Sequence, residues 1–165
     1  MPTARHTRTP APRRHNRAQS GRVGRNLCKE VWGQVLQDVA KVRAAESTVL
    51  EQNGHMCGAV YLAGYVVECQ LKSLLNKMGR PFPRAGRAGH NLLALWDTAG
   101  LRAQDQRGHR RAFLEVWDTS LRYAAALPES PHSPKDLLTG ARELAGIVAR
   151  RTRMSRGPGR GGVRG

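Results

Sequence analysis

Between Met56 and Met78 the apolar residues return at every third or fourth position without a break: Met56, Val60, Ala63, Val67, Leu71, Leu74 and Met78. Ala59, Leu62, Val66 and Cys69 widen the stripe on its flank. A period near 3.6 places all of them along one broad side of an α-helix. Only Glu68, Gln70, Lys72 and Ser73 interrupt the apolar middle. A helix over His55–Met78 that is apolar around most of its girth has to be wrapped by the rest of the chain. Gly79, Pro81 and Pro83 stop it.

The segments around it share the same period, and none alternates with period two. The spacing predicts a first helix over Leu27–Asn53, with Val31, Val35, Val39, Val42 and Val49 inward and Asn53-Gly54 as its stop. A short helix is expected over Asn91–Thr98, with Leu92, Leu93, Leu95 and Trp96 inward. Another is expected over Arg110–Ala126, carrying Phe113, Leu114, Trp117, Leu121, Ala124 and Ala125. The last has the clearest start: Ser133 as N-cap, Pro134 at the first helical position and Asp136 three residues after the serine. Its inner face is Leu137, Leu138, Ala141, Leu144, Ala145 and Val148. The expected fold is all-α, a four- to five-helix up-and-down bundle over residues 27–150.

The chain of 165 residues has a formal net charge of +16, and this charge is concentrated at the ends. Residues 1–26 hold seven arginines and residues 150–165 six, with no acid in either stretch. The middle is nearly balanced. Residues 1–26, with three prolines and few large apolar groups, and the Gly/Arg-rich residues 151–165 are expected to be disordered tails. They are either incidental extensions or a contact for RNA or DNA. A targeting role fits less well, because no apolar segment follows Arg13-Arg14. No apolar run approaches the roughly 20 residues a membrane-spanning helix needs, so no membrane partner is expected. Cys28, Cys57 and Cys69 form no close pair, which points away from a disulfide framework and towards a reducing, cytoplasmic compartment.

The segment Tyr61-Leu-Ala-Gly-Tyr-Val-Val-Glu-Cys-Gln-Leu-Lys-Ser-Leu-Leu75 is followed by Gly89-His90-Asn91-Leu92-Leu93, by Ala99-Gly100-Leu101, and by Trp117-Asp-Thr-Ser-Leu-Arg-Tyr123. This order of pieces resembles the prokaryotic HEPN domain family, over roughly residues 27–150. The resemblance implies a small helical bundle, usually a homodimer, tied to toxin–antitoxin or defence systems and sometimes partnered by a small nucleotidyltransferase. Many members are metal-independent ribonucleases that use an Arg and a His with four to six residues between them, paired across a dimer seam. Others lack the pair and act as binding modules.

Three such spacings occur: Arg8 with His15, Arg84 with His90, and Arg102 with His109. With 23 arginines in the chain, roughly 2.5 matches are expected by chance. The expectation is therefore a nucleic-acid- or nucleotide-associated binding module without catalysis. A ribonuclease using Arg102 and His109, and a plain protein-interaction module, are the alternatives. The candidate ligand-binding residues are Glu68, Lys72, His90 and Arg122. Glu68 and Lys72, four apart with Glu first, make either a solvated surface pair or a pair facing a groove or the dimer seam. His90 is either a structural histidine near a helix start or a group for phosphate contact or proton transfer. Arg122 can pair with Asp118, Tyr123 is expected to pack, and Trp96 and Trp117 are expected in the core. No Asp/Glu/His cluster for a metal and no cofactor motif stands out in the sequence.

Overall fold

The computed structural model describes residues 17–83 and 86–155, with side chains from Glu30 onward. All regular structure among the described residues is helical. The helices are α1 (Arg17–Gln52), α2 (Met56–Lys77), the single turn α3 (Gly86–Gly89), α4 (Leu92–Thr98), α5 (Gly108–Val116) and α6 (Pro134–Met154). Two short 3-10 turns, Ala103–Asp105 and Thr119–Tyr123, complete the order.

Helix α2 is the axis of the bundle. Ala59, Val60, Val67, Leu71, Leu74 and Leu75 are fully buried. They meet Leu95 and Trp96 of α4, Phe113 of α5, and Leu137, Leu138, Leu144 and Val148 of α6. A smaller cluster of Leu36, Ala40, Val66 and Cys69 joins α1 to α2. The broad apolar stripe in the sequence is thus covered by elements of this same chain.

Helix α1 begins at Arg17, ten residues before the expected start, so the expected boundary between tail and core falls inside a helix. The tail expectation for residues 1–16 and 156–165 lies outside the described residues, and α6 runs on to Met154. The inward face of α1 also differs from expectation. Val31, Val35, Val39, Val42 and Val49 are all 37–57% exposed, and Trp32 is exposed beside them. Leu36, Ala40 and Ser47 are buried instead. Leu36 packs there with the two small residues Ala40 and Ser47, at the contact of α1 with α2. The Ser47 hydroxyl donates to the Ala59 carbonyl at 2.8 Å, and the Ser73 hydroxyl donates to the Gly33 carbonyl at 3.1 Å. A Cβ on Gly33 would stand only 3.0 Å from the Asn76 amide nitrogen.

The helix expected over Arg110–Ala126 is divided. Helix α5 ends at Val116, Trp117 turns extended, and a 3-10 turn follows. Two local features cause the break. Asp118 caps the turn, its carboxylate accepting from the Ser120 N–H at 2.8 Å. The Trp117 indole is drawn onto α2, where it donates to the Tyr61 carbonyl at 3.0 Å. It occupies the space over Gly64, where a Cβ would collide with the ring at 1.8 Å. The other expected ends agree with the structure. Asn91 caps α4 through the Ala94 N–H, and Ser133 and Asp136 form the reciprocal capping box of α6.

Candidate functional site

The middle of α2 carries the two charges that interrupt its apolar stripe, and they point inward. Glu68 and Lys72 keep only 4% and 8% of their side-chain surface exposed. Lys72 Nζ donates to Glu68 Oε1 at 2.7 Å. The other carboxylate oxygen, Oε2, lies 2.9 Å from Nδ1 of His90, in the loop between α3 and α4. The reading of Glu68 and Lys72 as a solvated surface pair is therefore corrected: both side chains are enclosed by the bundle. A buried ion costs several kcal/mol of lost hydration, so each of these groups needs its partner.

The geometry fixes the histidine. An ionised carboxylate only accepts, so Nδ1 carries the hydrogen of the 2.9 Å contact. The ring is then held with Nε2 directed away from Glu68, and about a third of the side chain is exposed. Lys72 has three donor hydrogens and uses one on Glu68. Among the described residues the other two meet no further protein acceptor. An ammonium with unspent donors and an oriented imidazole therefore share one carboxylate.

An aromatic wall stands beside the pair. Tyr65 meets His90 edge-to-face at 6.1 Å, Trp117 at 5.8 Å and Tyr61 at 5.1 Å between ring centroids. The Tyr61 and Tyr65 hydroxyls are 3.2 Å apart. Burial, then the hydrogen bond with Tyr61 and the negative charge of Glu68, hold the Tyr65 phenol well above its usual pKa, while Arg122 pulls the other way. Arg122 thus lies within electrostatic reach of this wall. It is exposed and stacks over the Tyr123 ring at 4.7 Å. Tyr123 does not pack in the core as expected; it is 80% exposed. Asp118 does not pair with Arg122; its carboxylate accepts from the Ser120 backbone N–H. Trp96 and Trp117 are core residues, as expected. Cys57 and Cys69 are free thiols, and burial pushes Cys69 up to about 11.

The four candidate ligand-binding residues therefore divide into a contacting trio, Glu68, Lys72 and His90, and a neighbour, Arg122, that acts on Tyr65. The candidate catalytic pair is placed differently. Arg102 is exposed at the head of the first 3-10 turn, in the left-handed region at φ 45°. His109 lies in the first turn of α5 and faces Asp136 and His132. No hydrogen bond or ion pair joins Arg102 to His109. The grouping of His109, His132 and Asp136 is the His/Asp cluster that the sequence did not reveal. His132 and Asp136 are near neighbours in sequence, but His109 comes from a different element. Only the packing of α5 on α6 joins them. No family model, no curated protein and no solved structure matches the chain.

Proposed function

We propose that this chain is a HEPN-like binding module for a nucleotide or a nucleic-acid strand, acting without catalysis. The observation that carries this reading is the buried Lys72–Glu68–His90 cluster, whose His90 ring meets the aromatic wall at Tyr65. The spare Lys72 donors suit an anionic oxygen such as a phosphate. His90 Nε2 suits a ribose hydroxyl when neutral or a phosphate when protonated. Tyr65 and Tyr61 supply ring surface of the kind on which bases stack. Arg122, on the neighbouring turn, adds a positive charge at the same wall. The carboxylate of Glu68 is spent on holding the two basic groups, so the cluster binds and orients.

The same reading places the module in a bacterial defence or toxin–antitoxin type system, as a cytoplasmic homodimer with a nucleotidyltransferase-type partner. These parts rest on the sequence resemblance. Among the described residues no helix is long and apolar enough to cross a membrane. The exposed valine face of α1 is the surface on which a second copy fits. The ribonuclease alternative has less support, since Arg102 and His109 make no contact and His109 turns to Asp136.

The test is an NMR titration of the full chain with a mononucleotide and with a short single-stranded RNA. Signals of the His90 and Tyr65 rings should move, and His90→Ala and Arg122→Ala should each weaken binding with helix content unchanged. Unmoved His90 and Tyr65 signals at millimolar ligand would sink the proposal.

A further inference from the structure

His109 sits in the first turn of α5, His132 in the loop before α6, and Asp136 in the first turn of α6. Each offers a ligand atom, and the three atoms lie within 4.8 Å of one another. His109 Nδ1 stands 3.7 Å from Asp136 Oδ1, and the two imidazole rings meet edge-to-face at 6.0 Å between centroids. A gap of 3.7 Å is too long for a hydrogen bond. It is close to the spacing of two atoms that share an ion. Bonds of about 2.0–2.1 Å in a tetrahedral shell put ligand atoms roughly 3.4 Å apart.

The three positions are held by the surrounding chain. A Cβ at Gly140 would lie 2.1 Å from the His109 carbonyl oxygen, so the start of α5 is pressed against α6 one turn after Asp136. Asp136 Oδ2 accepts from the Ser133 N–H at 3.0 Å and from the Ser133 hydroxyl at 2.8 Å. That leaves Oδ1 on the side of His109. A carboxylate with one oxygen anchored and the other aimed is how proteins orient a metal ligand. The His132 N–H donates to the Ser130 hydroxyl at 3.2 Å, which steadies the third position.

An independent feature lies next to the cluster. A groove of about 530 Å³ is lined by His132 together with Gln106, Arg107 and Arg111. Gln106 is more than nine-tenths buried, yet its Oε1 has no hydrogen-bond partner. Buried polar atoms are nearly always paired, so this one stands out beside the cluster.

We propose that His109, His132 and Asp136 bind one divalent transition-metal ion of the zinc class, with an exchangeable position left for water or an anionic oxygen ligand. Two imidazoles and a carboxylate suit such ions better than calcium or magnesium, which prefer all-oxygen shells. Three protein ligands with one open position is the pattern of zinc sites that exchange a ligand. The cluster shares no residue with Glu68, Lys72 and His90 and stands independently of the function proposed for them.

The experiment uses the full-length protein, stripped of metal and titrated with Zn²⁺ against a chromophoric indicator. One ion should bind per chain. His109→Ala and His132→Ala should each weaken it by at least about tenfold, and His55→Ala, at the exposed start of α2, should leave it unchanged. In the unsubstituted protein, Zn²⁺ should move the ring signals of His109 and His132 in NMR, a readout that does not depend on any variant folding. The site is refuted by absence of stoichiometric binding, by undiminished affinity in the double variant, or by shifts confined to the other histidines.

Discussion

At the scale of single residues, the pair Glu68 and Lys72 shows how much burial changes the meaning of a sequence pattern. Exposed on a helix, an i, i+4 pair stabilises by a few tenths of a kcal/mol. Here the pair is enclosed, and each charge depends on the other. Removing one partner of a buried pair typically costs about 3–5 kcal/mol, because the remaining charge has no water to return to. Lys72→Met should therefore lower the unfolding free energy by about that amount in a urea titration. A loss below about 1 kcal/mol would show that the pair is solvated in solution. His90 can replace only part of what Lys72 supplies, since it is itself a third exposed.

At the scale of elements, the two helices that departed from expectation did so for different reasons. Helix α1 packs through Leu36, Ala40 and Ser47, and its valines are left on the outside. Val35, Val42 and Val49 recur every seven residues, with Val39 and Trp32 beside them, a spacing suited to a second helix. Val35→Glu combined with Val42→Glu should convert a dimer near twice 18.2 kDa into a monomer by light scattering while helix content stays constant. A wild-type monomer at micromolar concentration would remove the dimer from the proposal. The break after α5 carries a pH signature. Hydrogen bonds to the backbone and then the side chain of Ser120 hold the Asp118 carboxyl below its usual range. A depressed folded pKa means that the stabilisation is complete above the unfolded value of about 3.9 and is lost as pH falls through the lower folded value. Asp118→Asn should therefore be less stable than wild type at pH 7, and the difference should shrink below about pH 4. A difference independent of pH would assign the cap to geometry alone.

At the scale of the whole molecule, the structure brings parts of the two basic stretches together. Lys77 at the end of α2 donates to the Thr152 carbonyl near the end of α6, and Gly33 of α1 packs beside Asn76 in the last turn of α2. The C-terminal end of α6, with exposed Arg150, Arg151 and Arg153, thus lies at the end of the bundle from which the N-terminal part of α1 continues. Six of the thirteen terminal arginines belong to helices, and Arg150, Arg151 and Arg153 are exposed at this end. If five or six of these charges contact a duplex, the slope of log affinity against log salt should be roughly −4.5 to −5.4. Replacing Arg150, Arg151 and Arg153 with Gln should make the slope shallower by roughly 2.5 to 3, since each phosphate contact contributes about 0.9. An unchanged slope would show that this end does not touch the nucleic acid.

Local chemistry was sufficient wherever a few neighbouring residues settle the outcome. The period of α2, the capping box at Ser133 and Asp136, the short helix from about Asn91 and the Gly79 stop were all legible because helix ends and helix period depend on residues within one or two turns. The all-α class followed from the same periodicity. The candidate trio was partly legible too: Glu68, Lys72 and His90 stood out in the sequence, but their contact did not. Whether a charge pair is wet or dry, and which stripe of an amphipathic helix turns inward, depends on what the rest of the chain lays over it. Gly33, Ala40 and Ser47 carry little hydrophobicity and so left no sequence signal, yet they are the residues that α1 turns to α2, and the valines face outward. In the same way Gly64 admitted the Trp117 ring and Gly140 admitted the start of α5. Where two helices can touch is set by the absence of side-chain bulk, a property of paired surfaces that no single stretch of sequence displays.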